Sequence, residues 1–190
     1  MNDLPQSLID EFVGAAHGDF ARVKAMLAER PSLLDARASF DETALQAAAQ
    51  MARRDMIEFL LAQGAPLDIC TAAVLGLKDR VEAFLRADPG QAQARGSHGI
   101  PVMYYPVVAG RKDIAELLLA HGAEVNAGEG GVPPLHGAVM FGQVEMAEWL
   151  LAHGAQVNIP NFDRKTPLKA AVEKGSAPMA DLLRRQGGVE

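Results

Sequence analysis

The chain has 190 residues, 49% of them apolar and only 5% aromatic, with a formal net charge of −6. That length suits one domain or one short repeat array, and the acidic balance excludes the basic face a nucleic-acid partner requires. A lone cysteine, Cys70, excludes an internal disulfide framework and fits a reducing compartment. The opening MNDLPQSLIDEFV carries acids where a signal peptide needs basic residues. No apolar run approaches the ~18 residues that span a bilayer, so the expected setting is cytoplasmic, without a membrane partner. Alanine, leucine and glycine dominate, which favours helix over strand and predicts an all-α fold.

In chain order, three segments announce a repeat: EFLLAQGAPLD (58–68), ELLLAHGAEVNA (116–127) and EWLLAHGAQVNI (148–159). Their glycines, with the cognate Gly187, are spaced 58, 32 and 33 residues apart (Gly64, Gly122, Gly154, Gly187). Sliding the chain by 58 residues superimposes Ala15, Arg22, Val23, Leu27 and Pro31 on Ala73, Arg80, Val81, Leu85 and Pro89. The same offset carries Asp55, Glu58, Leu60, Leu61 and Gly64 onto Asp113, Glu116, Leu118, Leu119 and Gly122. Residues 15–65 therefore read as a two-repeat block that recurs at 73–123, and the chain as a single domain of about six units: 6–38, 39–68, 69–95, 96–127, 128–159 and 160–190. Each unit holds a brief apolar helix and then a longer one with apolar residues at i, i+3, i+4 and i+7, as in Val144, Ala147, Leu150 and Leu151. Each helix pair alone has too little core, so stability must come from stacking.

The segments TPLKAAVEKG (166–175) and PPLHGAVMFG (133–142), each followed by a leucine-rich helix and a GA or GG stop, resemble the ankyrin repeat over nearly the whole chain. The resemblance implies a solenoid of L-shaped units, each a hairpin-like loop followed by two antiparallel helices. It implies that Thr43 and Thr166 cap first helices with Pro167 in the first turn, and that His136 is the structural histidine that hydrogen-bonds the loop backbone. Three departures stand out. The third unit, LDICTAAVLGLKDRVEAFL, lacks its hairpin. The fourth reads PVMYYPVVAG (101–110), which puts Pro106 inside the first helix at the cost of a hydrogen bond and of helical geometry at Tyr105. The fifth carries a glycine-rich loop with Gly128, Gly130 and Gly131.

Ankyrin-like stacks bind through a concave face made of loop tips and the last exposed positions of each first helix. Projected here, that face comprises Ala16 and His17, Gln50 and Met51, Val74 and Leu75, Val108 and Ala109, Met140 and Phe141, and Glu173 and Lys174. The loops add Phe40, His98, Ile100, Val132 and Phe162. The four middle pairs are mostly apolar, the mark of a binding strip for an apolar protein segment. Core and surface placements stand equal for Val74, Val108 and Ala109, whereas Met51, Met140 and Phe141 read as ligand-facing. Tyr104 takes the structural histidine's place, which leaves Tyr105 to reach the groove.

His121 and His153 occupy the same phase in successive units, about 10 Å apart on helix-packing distances, too far for one zinc ion. No metal and no cofactor are expected. The leading reading is a non-catalytic module that presents the apolar strip to a protein partner. Two others stay open. One is a small-molecule binder or enzyme at the third-to-fifth-unit junction, with Tyr105, His98 and His136 as acid–base or hydrogen-bonding groups and a small apolar molecule as ligand. There Cys70, His98 and Tyr105 converge, with Asp68 or Asp41 nearby, if the missing hairpin opens a notch. The other is a strip covered by a second copy of the chain.

Overall fold

Six times along the chain a short apolar helix is followed, within two to four residues, by a second helix with one charged face. In the computed structural model, which describes residues 4–190, the pairs are α1 (Gln6–Ala15) with α2 (Phe20–Glu29), α3 (Ala44–Gln50) with α4 (Arg54–Ala62), and α5 (Ile69–Leu75) with α6 (Lys78–Ala87). They continue as α7 (Tyr104–Val108) with α8 (Lys112–Ala120), α9 (Pro134–Phe141) with α10 (Val144–Ala152), and α11 (Pro167–Glu173) with α12 (Ala177–Arg185). Among the described residues there is no β-strand, and the hairpin-like loops contribute one isolated antiparallel bridge, Arg95 with Pro101.

The two helices of a pair differ because their surroundings differ. All seven residues of α5 are buried, as are Ala44, Leu45 and Ala47 to Ala49 of α3, so the first helices form an inner layer packed on both sides. Small alanines allow that close approach. The second helices bury one stripe, in α10 Met146, Ala147, Trp149 and Leu150, and turn Glu145 and Glu148 outward. Three of the first helices start on side-chain caps: Thr43 and Gln46 form a reciprocal capping box, Thr166 accepts from the Lys169 amide at 3.1 Å, and Asp68 from the Thr71 amide at 2.6 Å. Each such cap contributes about 1 kcal/mol.

Side chains that reach into the neighbouring pair hold the stack in register. On the turn side, Arg53 donates to Gly18 O at 2.8 Å, Gln143 to Val108 O at 3.0 Å and Lys174 to Met140 O at 2.6 Å. At the far ends of the second helices, Asn126 donates to Gly154 O at 2.9 Å and Asn158 to Gly187 O at 3.2 Å. These bonds satisfy carbonyls that helix ends leave without an intrahelical donor.

The third pair departs from this pattern as its sequence predicts. Only residues 63–68 join α4 to α5, whereas 121–133 and 153–166 join the later pairs, and Asp68 caps α5 directly. The hairpins of the second and fourth pairs thus lose the neighbour that belongs between them, and they meet.

Pro106 behaves differently from expectation. It is the third residue of α7, where the backbone N–H has no intrahelical acceptor in any case, so no hydrogen bond is lost and Tyr105 stays helical. α7 also packs unusually close to α9. A methyl group at Gly137 would lie 2.7 Å from the Tyr104 ring, so only glycine admits this approach.

Candidate functional site

His136 lies within α9, is buried, and donates from Nε2 to Ile159 O at 2.8 Å, the loop-anchoring role expected of it. Burial pushes the imidazole below its usual 6.5, against an opposing pull from the Ile159 bond. The folded state therefore binds this proton less readily than the unfolded chain does. Stability from His136 is complete above pH 6.5 and is lost as pH falls through the depressed value of the folded state. Urea unfolding should show this acid-side loss in the wild type. It should be much reduced in His136→Asn, which also loses on the order of 1–2 kcal/mol at neutral pH from the weakened bond.

Tyr104 and Tyr105 are both fully buried and meet edge to face at 5.6 Å. The Tyr104 hydroxyl reaches back to Gln50 O at 3.4 Å, so it binds the end of α3 and not a loop. Tyr105 does not reach the groove. Its hydroxyl is covered by Gly96 and has no hydrogen-bond partner. Burial pushes both phenols well above the ordinary tyrosine range. Cys70 lies beside Tyr105. Burial first, then the nearby Asp68 charge, raises its thiol, and the Tyr105 contact offsets this only in part. Such a thiol is not an activated nucleophile.

The concave positions divide sharply. Leu75, Ile100 and Tyr105, expected on the strip, are instead buried, and Val74 and Val108, for which core and surface stood equal, are core. Met51, Val132 and Phe141 are half-buried, and the Phe141 ring packs edge to face on Tyr104. Phe40, Met140 and Phe162 are 42%, 47% and 63% exposed, and His98 is also open to solvent. The apolar surface is therefore a set of separate anchors at hairpin tips and helix ends, not an unbroken strip. One helical turn separates inner from outer positions, and α5 and α7 are buried on every side, so their residues offer no outer position.

A polar cluster that the sequence reading did not single out sits where the two hairpins meet. Glu42 is completely buried. One carboxylate oxygen accepts from Ser97 Oγ at 2.7 Å; the other faces His17 Nε2 at 3.3 Å and His98 Nε2 at 3.5 Å and has no hydrogen-bonded partner of good geometry. Phe40 stacks on the His98 ring with centroids 6.2 Å apart. Above them lies an open cleft of about 340 Å³ lined by Arg37, Phe40, Gln46, Arg95, Ser97 and His98. Tyr105 lies beneath the hairpin at Gly96, with Cys70 beside it, and neither lines the cleft. The only sequence signal was the missing third hairpin; Glu42 itself reads as an ordinary solvated loop acid.

Tyr105, His98 and His136 thus have separate commitments: to Gly96 and Cys70, to Glu42, and to Ile159. His121 and His153 each donate Nδ1–H to a carbonyl of their own helix, Leu117 O and Trp149 O. Among the described residues no group of three His, Cys, Asp or Glu side chains is placed to hold a metal ion, and no helix is long and apolar enough to cross a membrane.

Family profiles agree with this architecture. One described as ankyrin repeats in three copies matches residues 69–161 and 128–190, and one for a single ankyrin repeat matches residues 40–72. The chain belongs to the ankyrin-repeat family. The matches span the second to sixth helix pairs of this ankyrin array, including the third pair without its hairpin. No curated protein matches the chain. Ankyrin repeats are in general protein–protein interaction modules, and that general role applies here.

Proposed function

We propose that this ankyrin array acts as a single non-catalytic binding module, holding a protein segment across the hairpin tips and first-helix ends through Phe40, Met140 and Phe162. The observation that carries this reading is the exposure of these three large apolar side chains on the side that ankyrin stacks use for binding. Met140 is flexible and Phe40 and Phe162 are rigid, a combination that suits hot-spot contacts in an adaptable surface. Half-buried Met51, Val132 and Phe141 supply a floor between them. A site built from Tyr105, His98 and His136 is less favoured, because two of the three are sealed inside.

The test compares proteins captured from the native host by the wild type and by Phe40→Asp, Met140→Asp, Phe162→Asp. The triple variant should keep its far-UV helical signal and lose the wild-type partner, an affinity loss of about 100-fold or more if two anchors are hot spots. Unaltered capture of that partner would overturn the reading. Sedimentation at high concentration separates it from self-association: a dimer that dissociates in the triple variant would assign the anchors to a second copy.

A further inference from the structure

The Glu42 cluster is not needed by any feature of the stack described so far. Other pairs hold register through neutral amides, lysine and arginine, whereas here a buried carboxylate joins hairpins that are 55 residues apart in sequence. A buried carboxylate costs several kcal/mol unless an opposite charge and hydrogen bonds accompany it. Ser97 supplies one hydrogen bond and no charge. The groups facing Glu42 are His17 at the end of the first helix and His98 and Ser97 on the fourth hairpin, while the Tyr105 hydroxyl of α7 is near enough to feel its charge. On its own hairpin, Arg37 is turned away to Asp41, whose carbonyl and carboxylate it binds at 2.9 and 3.1 Å. Across the cleft, Arg95 is committed to Gly99 O at 2.9 Å. No arginine or lysine therefore meets the carboxylate, and the two imidazoles are the groups within ion-pair distance of it, His17 at 3.3 Å and His98 at 3.5 Å.

We infer that His17, Glu42 and His98 form a proton-dependent latch, which holds the fourth hairpin as a strap across the gap left by the missing third hairpin. Backbone conformation agrees with a strap held under load. His98 and Asp41, one on each of the meeting tips, are non-glycine residues at φ 55° and 61°, a conformation that costs of order 1 kcal/mol or more and persists only when surroundings enforce it. With the imidazole charged, the closed strap pairs it with the buried carboxylate. As pH rises across the range in which imidazoles lose their proton, about 5 to 8, the carboxylate faces neutral rings and opening becomes easier. Opening separates the Phe40 and His98 rings, which reshapes one anchor of the proposed binding face and uncovers the Tyr105 hydroxyl and Cys70 beneath. The latch rests on the binding-module reading only for this last consequence.

Hydrogen exchange of residues 95–102 in the full chain, corrected for the intrinsic pH dependence of exchange, tests it without any partner. Wild-type opening should increase about tenfold between pH 5 and pH 8. Glu42→Gln, whose neutral amide needs no counter-charge, should show little change over that interval. His98→Asn should open readily at both ends of it. Labelling of Cys70 by a thiol reagent, compared among the three proteins at a single pH, reports the same opening and should rank them identically. Equal pH responses in all three proteins, or a flat response in the wild type, would overturn the latch. So would protection that depends on added zinc and not on pH. Because no partner enters these measurements, a failed latch and a failed binding surface are separately visible.

Discussion

Gly96→Ala is expected to destabilise the array by about 3 kcal/mol, at the upper end for overpacking a core. A methyl group at this position would lie 1.9 Å from the Tyr105 hydroxyl oxygen and 2.8 Å from the ring carbon that bears it. Tyr105 is buried on all sides, so the ring has nowhere to retreat and the hairpin itself must lift. The hairpin is held by Gly96 N–H to Ile100 O and Val102 N–H to Ala94 O, both at 2.8 Å, and lifting it strains these bonds and the Glu42 contacts together. Tyr105→Phe provides the control. Alone it should be close to neutral, since the hydroxyl it removes is buried without a partner. Combined with Gly96→Ala it should recover part of the loss, because the nearest clash disappears while the ring carbon remains. Urea unfolding of the four proteins gives the coupling. Simple additivity would place the damage elsewhere than this contact.

Tyr104→Ala should cost more, about 4 kcal/mol, within the range for deleting a buried aromatic ring. The size of the hole is only part of the reason. Tyr104 packs edge to face on Tyr105 at 5.6 Å and on Phe141 at 6.5 Å, lies against Gly137, and bonds Gln50 O at 3.4 Å. One ring thus links α3, α7 and α9, three pairs of the array. Stability in a solenoid is close to a sum of terms from each repeat and each interface. Removing the ring weakens the interfaces on both sides of the fourth pair at once, so the array should uncouple there. Urea unfolding followed by circular dichroism should change from one transition to two, with the denaturant slope of the first reduced. A single transition with an unchanged slope would show that the interfaces do not depend on Tyr104.

Much of this molecule was legible in the chain itself. The glycine spacing and the 58-residue offset place the helix pairs, because alanine-rich first helices and leucine-striped second helices repeat their pattern locally. Pro31 and Pro89, matched by that offset, each open a short 3-10 turn after a second helix. Thr43 and Thr166 act as caps, and His136 anchors its loop, since such roles involve residues a few positions apart or in the next repeat. The short link before α5 was equally plain, because a missing hairpin is a matter of counting residues.

What the chain did not disclose was how those pairs close against one another. Whether Val74 or Val108 faces solvent depends on how near the adjacent first helix comes, and that distance is set by Gly137 and by rings in other repeats. Pro106 looked like a helix breaker because the start of α7 was misplaced; its harmlessness follows from a turn that begins late. Glu42 is the clearest case. Its burial depends on Ser97 and His98, brought over it only because a hairpin that should separate them is absent. Local periodicity and length set the helix pairs, their order and the gap in the third repeat. Packing between repeats selects which apolar residues remain exposed and what fills the gap, because burial is a property of neighbours, and these neighbours lie a repeat or more away.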